Sequence, residues 1–167
     1  PVTVRADPRS TATADELQSQ FEFVWSTNRK LTEAHRAIRE LRGVREQVEE
    51  ISGRVGDEPR YAALREAGET LVERLTTIEE TLYQTKLESP QDPLNFPIRL
   101  TNKLAHLNSL VSLDDFPPTA QDIAVKNELT AQIDQQLNAF DKMVDEEVAA
   151  FNKAFNDLNL NYLFVEE

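Results

Sequence analysis

Five of the eight prolines fall between residues 90 and 118, and long proline-free heptad stretches stand on either side of that segment. Proline lacks a backbone N–H and pushes the residue before it out of helical geometry, so Pro90, Pro93 and Pro97 end one helix. Pro97 also suits the first turn of another, where a missing N–H is no loss. Leu100, Leu104, Leu107 and Val111 give that next segment a single apolar stripe. Asp114 to Thr119 stops it. The chain is therefore expected to be α-helical, with long columns and one break.

The flanking stretches supply the columns. Thr13-Ala14-Asp15-Glu16 has the form of a capping box and opens a helix over 14–54. Its seam reads Leu17, Phe21, Val24, Asn28, Leu31, His35 and Ile38, then slips by one residue and continues as Leu41, Val44, Val48, Ile51 and Val55. That pattern predicts a coiled-coil-like helix with a local stammer. Gly53 and Gly56 allow a turn, and Asp57-Glu58-Pro59 opens a second helix over 58–88. Its seam is Tyr61, Leu64, Gly68, Leu71, Leu75, Ile78 and Leu82. A short helix over 98–112 follows. Thr119 and Asp122 then cap a last helix over 120–158, with Ile123, Leu129, Ile133, Leu137, Phe140, Val144, Val148, Phe151, Phe155 and Leu158 inward.

At 1.5 Å per residue the four helices would be about 60, 45, 20 and 60 Å long. The second and third together match the first and the last. The predicted fold class is accordingly all-α, an elongated up-down-up bundle of three columns with the middle one broken into a long and a short helix. The alternative reverses the short helix and builds a four-helix layer at one end. Residues 13–158 form the domain, 159–167 a C-terminal tail, and 1–12 a linker in which Val2-Thr3-Val4 reads as the remnant strand of a preceding β-domain. A chain that opens at Pro1 without methionine is expected to be a piece of something longer.

Composition excludes more function than it suggests. A net charge of −12 disfavours a nucleic-acid backbone as partner. No run of 18 apolar residues offers a membrane-spanning helix. Cysteine is absent, which removes disulfides and thiolate metal sites. His35 and His106 are the only histidines, and neither has a second histidine or a carboxylate at i+4. Asp114-Asp115 is a suggestive acidic pair, but calcium wants six to eight oxygens from a looped array, so the pair is read as loop residues capping helix ends. Asp141, Asp145, Glu146 and Glu147 read as a solvated face. No catalytic residue, cofactor site or metal site is predicted, and the chain is not expected to be an enzyme.

Two surface features remain. Arg29, Lys30, Arg36, Arg39, Arg42 and Arg45 concentrate on the first helix, whereas residues 120–167 hold ten acids against three lysines. Pairing between those two helices is the expected use of this asymmetry; a basic stripe for an acidic partner, including Arg36 and Arg39, is the other reading. Aromatic residues crowd the first turns. Phe21 and Trp25 share the predicted seam face, and Phe23 lies about 160° away from either. Trp25 or Phe21 is expected to pack in the core against Leu113 and Phe116. Phe23 is expected to face outward and mark the docking surface for a partner protein. The residues predicted to bind a partner are Phe23, Trp25, Arg36 and Arg39. Asn28, Asn102 and Asn108 would each need a hydrogen-bond partner if buried.

Four segments occur in one order: Val-Thr-Val-Arg-Ala-Asp-Pro-Arg at 2–9, Ala-Ile-Arg-Glu-Leu-Arg at 37–42, Pro-Leu-Asn-Phe-Pro-Ile-Arg-Leu-Thr-Asn-Lys-Leu-Ala-His-Leu at 93–107, and Asp-Phe-Pro-Pro-Thr at 115–119. In these the chain resembles the C-terminal helical region of large exported bacterial proteins whose bulk is sortilin-like or neuraminidase-type β-propeller repeats, often labelled glycosyl hydrolases. The resemblance implies a short β-domain before the Asp-Pro-Arg segment and a periplasmic or extracellular location. The hydrolase label would belong to the propeller. A sialidase-like site needs an arginine cluster, a tyrosine nucleophile and carboxylates on propeller strands, so no catalytic residue carries over. The expected role is a non-enzymatic interaction or scaffolding domain of an envelope protein. The alternative is an accessory subunit that docks on and stabilises a larger membrane complex.

Overall fold

The structure is a computed structural model that describes residues 2, 3, 5 and 7–160. Helix α1 spans Ala14–Arg54, α2 Ala62–Leu82, α3 Leu100–Val111, α4 Ala120–Met143 and α5 Ala149–Asp157. A 3-10 turn at Pro59–Tyr61 leads into α2, another at Asp92–Leu94 lies between α2 and α3, and a π-helical turn at Val144–Val148 joins α4 to α5. Both capping boxes form. The Thr13 hydroxyl accepts the Glu16 N–H at 3.3 Å while the Glu16 carboxylate accepts the Thr13 N–H at 2.7 Å. Thr119 and Asp122 repeat the exchange at 3.1 and 2.8 Å. Each box satisfies two donors that a helix start otherwise leaves orphaned. Gly56, at φ +65°, supplies the left-handed residue that turns α1 toward α2.

Cross-column contacts fix the topology. Gln20, Asn28, His35 and Arg42 of α1 meet Val111, Asn108, Tyr83 and Glu79 in that order, so α2 and α3 together run antiparallel to α1. The return column meets Ser26 through Lys126, Lys30 through Asp134 and Arg74 through Glu147, so α4 and α5 run parallel to α1. This is the three-column up-down-up bundle. The reversed short helix does not occur.

The core is a main cluster shared by the three columns, with a smaller separate one of Phe23, Leu107 and Val111 between α1 and α3. Leu41, Leu64, Leu75, Leu82, Leu104, Ile133 and Met143 are fully buried, each removing from water a side chain whose burial is worth about 1.5–3 kcal/mol. At Gly68 the columns approach closely: an added Cβ would lie 2.5 Å from Ser52 Oγ and 3.3 Å from the Phe151 ring.

Three details differ from the sequence expectations. Helix α2 stops at Leu82 rather than near Glu88, because Tyr83 turns extended at φ −138°, ψ 142°. The Thr101 hydroxyl donates to the Leu82 carbonyl and the Gln84 side chain to the Pro97 carbonyl, both at 2.8 Å. Those two bonds splice α2 to α3 end on, and residues 85–98 loop out from the column.

The predicted stammer in α1 is also absent. Thr27, Ala34, Leu41, Val48 and Val55 are all buried at strict seven-residue spacing, with Phe23 one turn before Thr27. Thr27 and Ala34 are fully buried and small, so α3 and α4 approach α1 along this line rather than along Phe21 and Val24. The Thr27 hydroxyl is satisfied by the Phe23 carbonyl at 2.7 Å.

In the last column, Met143 takes the buried place predicted for Val144, which is exposed, just where the wider π turn begins. Ile123, also predicted inward, is exposed. Of the Val2–Val4 strand, Val2 and Thr3 carry no regular structure and Val4 lies outside the described residues. The tail from residue 161 lies outside them as well.

Candidate interaction surface

Once Phe23 faces the other columns, Phe21 and Trp25 must face away, since residues two apart on a helix point to opposite sides. Phe23 is only 5% exposed and packs with Leu107 and Val111 of α3. The Lys126 ammonium sits 4.5 Å above its ring centroid and donates to the Phe23 carbonyl at 3.3 Å and to the Ser26 hydroxyl. Burial holds the Lys126 pKa below that of an ordinary lysine. Phe23 is thus a core residue and not the outward docking residue expected from sequence. Phe21 and Trp25 are each 58% exposed and stack on one another, with centroids 6.1 Å apart and planes at 15°. Neither enters the core.

Leu113 and Phe116 do not receive them; both are exposed. Leu113 instead lines a depression of about 430 Å³ with Leu17, Phe21, Val24, Gln20, Ser112, Asp114 and Asp115. Gln20 closes its floor by donating to the carbonyls of Val111 and Asp114, both at 2.6 Å. Asp114 caps no helix: its side chain accepts the Asp115 N–H at 2.8 Å. The end of α3 is closed by Ser112, whose hydroxyl and N–H both reach the Asn108 carbonyl. Capping of α4 falls to Thr119 and Asp122.

Trp25 and Arg36 are brought together. They line a groove of about 560 Å³ with Arg29 and Thr32 of α1 and Leu137 of α4, where Arg36 donates to Glu40 at 3.0 Å. Arg39 is exposed and lies outside that groove. Most of the basic residues of α1 that form ion pairs do so away from α4. Arg42 and Arg45 both bind Glu79 of α2, Arg36 binds within its own helix, and Lys30 alone of this set reaches α4, at Asp134. Burial of Lys30 works to lower its pKa, but the hydrogen bonds it donates to Asp134 and Glu33, with the attraction of their charges, outweigh it and hold the group above the ordinary value.

The remaining sequence candidates carry little chemistry. His35 is half-buried, edge-on to Tyr83 at 6.0 Å, and His106 is exposed. Asn108 donates to Asn28 at 3.1 Å, while the Oδ1 atoms of Asn102 and Asn108 are buried without partners. Among the described residues no group of three His, Asp or Glu is placed to hold a metal ion, and no helix is long and apolar enough to cross a membrane. The fold and its surface thus define an all-α bundle with an exposed aromatic end. No protein-family model, curated protein or solved structure matches the chain.

The inversion of the aromatic residues has a direct consequence. Phe23→Ser is expected to cost about 3 kcal/mol of stability, in the range for removing a buried phenylalanine, whereas Trp25→Ser should stay within about 0.5 kcal/mol of wild type. Urea unfolding of the two variants checks this; equal losses would mean that the aromatic face has been assigned the wrong way round.

Proposed function

We propose that the chain is a non-enzymatic protein-interaction domain acting through the aromatic end of α1, as the C-terminal helical part of an exported envelope protein whose bulk is a β-propeller. The observation that carries the interaction role is the stacked, exposed Phe21–Trp25 pair beside exposed Leu113. Clustered aromatic surface of this kind is uncommon on a free-standing surface and supplies the anchors of many interfaces. The segment before α1 borders the same end, since Asp7, Arg9, Ser10 and Thr11 line a shallow depression with Asp114 and Asp115. That placement fits a preceding β-domain as the partner. The sequence resemblance at 2–9, 37–42, 93–107 and 115–119 supports the propeller parentage and, with it, a periplasmic or extracellular location. In this reading any hydrolase activity resides outside the helical chain.

The test is to mix the helical chain with the separately produced β-domain encoded upstream of it and follow binding by calorimetry. Association is expected for wild type and is expected to be lost in the Phe21→Ser, Trp25→Ser double variant, with unchanged thermal stability of the bundle. An absence of association, or association that the double variant leaves intact, would overturn the assignment of this face.

A further inference from the structure

Resting on that reading of the aromatic end, we infer that its occupant is a protein surface with an apolar centre and a rim of lysine or arginine. Large apolar side chains are left exposed at this end: Phe21 stacked on Trp25, Leu113 beside Phe21, and, along the turn from α3 to α4, Phe116 and Ile123. Among the described residues, the depression beside Phe21 and Leu113 has Asp114 and Asp115 as its only charged lining. Neither carboxylate takes part in an ion pair among the described residues. Asp7, which borders them, is already tied to Arg9 at 2.7 Å. Lys126, at the level of Phe23, is turned onto the Phe23 ring and Ser26. Beyond Trp25, Arg29 and Arg36 line the neighbouring groove on the far side of the patch. The edge along the α3–α4 turn is therefore apolar surface bounded by unpaired negative charge.

Complementarity selects among occupants. A second copy set end to end would bring two Asp114–Asp115 pairs together on chains that each carry −12, and an anionic bilayer would meet the same repulsion. A basic rim meets the carboxylates, while its apolar centre covers Phe21 and Leu113.

Trp25 is the only tryptophan and so reports on this face. The full chain is titrated with three short amphipathic peptides that share a leucine face and carry lysine, glutamine or glutamate on the polar face, and Trp25 emission is followed. The lysine peptide is expected to shift the emission to the blue and to bind about tenfold tighter than the glutamine peptide, with the glutamate peptide weakest. Asp114→Asn with Asp115→Asn should erase that tenfold, and Phe21→Ser with Leu113→Ser should abolish the binding of all three. Equal binding of the lysine and glutamine peptides would overturn the basic rim while leaving the interaction face standing. No blue shift with any peptide would remove both. Undiminished lysine-peptide binding by the Phe21→Ser, Leu113→Ser variant would reduce the effect to attraction by net charge and overturn the inference. So would a blue shift with vesicles of phosphatidylglycerol and phosphatidylcholine, or a concentration-dependent dimer in light scattering, which would assign the end to a membrane or to a second copy.

Discussion

Leu75→Asp is expected to leave no cooperatively folded bundle at room temperature. Leu75 is fully buried in the middle of α2, inside the main hydrophobic cluster shared by all three columns. Truncation of a buried leucine alone costs about 2–5 kcal/mol. The carboxylate adds several more, because it enters apolar surroundings with no cation to pair with, unless it takes up a proton instead. The sum is comparable with the whole stability of an ordinary domain, about 5–15 kcal/mol. Circular dichroism at 222 nm and its thermal transition measure the outcome. Leu75→Ala should retain a transition at lower temperature, and Leu94→Asp, at a position 88% exposed on the loop between α2 and α3, should leave it unchanged. A Leu75→Asp chain that melted like wild type would mean the three columns are not packed about this seam.

What could be read from the sequence was what local chemistry decides. The two capping boxes fixed the starts of α1 and α4 to the residue, because a hydroxyl and a carboxylate three apart satisfy the same orphan donors in any context. The prolines after residue 90 placed the break in the middle column for a similar reason: the lost N–H and the steric clash are local.

What stayed hidden was decided by other columns. The end of α2 depends on Thr101 and Gln84, which reach across the break, and nothing in Tyr83 to Glu88 forbids further helix. The face of α1 was misread because its true seam passes through Thr27 and Ala34, residues too small and too polar to count in an apolar pattern. Leu17, Phe21, Val24 and Leu31, more apolar, drew the stripe one residue aside. Extending the seven-residue spacing of Val55, Val48 and Leu41 backward would have reached Ala34 and Thr27, with Phe23 one helical turn before Thr27. The same error shaped the candidate site: Phe23 is buried and Trp25 exposed, Arg36 lines the same groove as Trp25, and Arg39 lies outside it.

Glu79→Ala is expected to cost about 3 kcal/mol, more than any other single change of a charged residue here. Its carboxylate is 1% exposed and takes Arg42 Nε on one oxygen and Arg45 Nη1 on the other, both at 2.6 Å. Two arginines one turn apart on α1 are thereby clamped to α2, and Arg42 also lies 5.7 Å from the Tyr83 ring where α2 ends. Breaking a buried ion pair by deleting one partner costs about 3–5 kcal/mol, because a charge is left without compensation. The lower end applies, since the Arg42 and Arg45 side chains are 47% and 24% exposed and water can serve them in part. Glu79→Gln keeps the shape and one acceptor, so about half the loss is expected. Replacing Glu79, Arg42 and Arg45 together by methionine or leucine should be close to neutral, because no charge then remains to desolvate. Urea unfolding of the three variants separates these cases. Hydrogen exchange should further show residues 83–99 opening sooner in Glu79→Ala, since the clamp sits one turn before the break, with protection around Phe23 and Val111 unchanged. A loss below about 1 kcal/mol in Glu79→Ala would place the clamp among ordinary surface pairs, and the junction of α1 with α2 would then rest on the leucine seam alone.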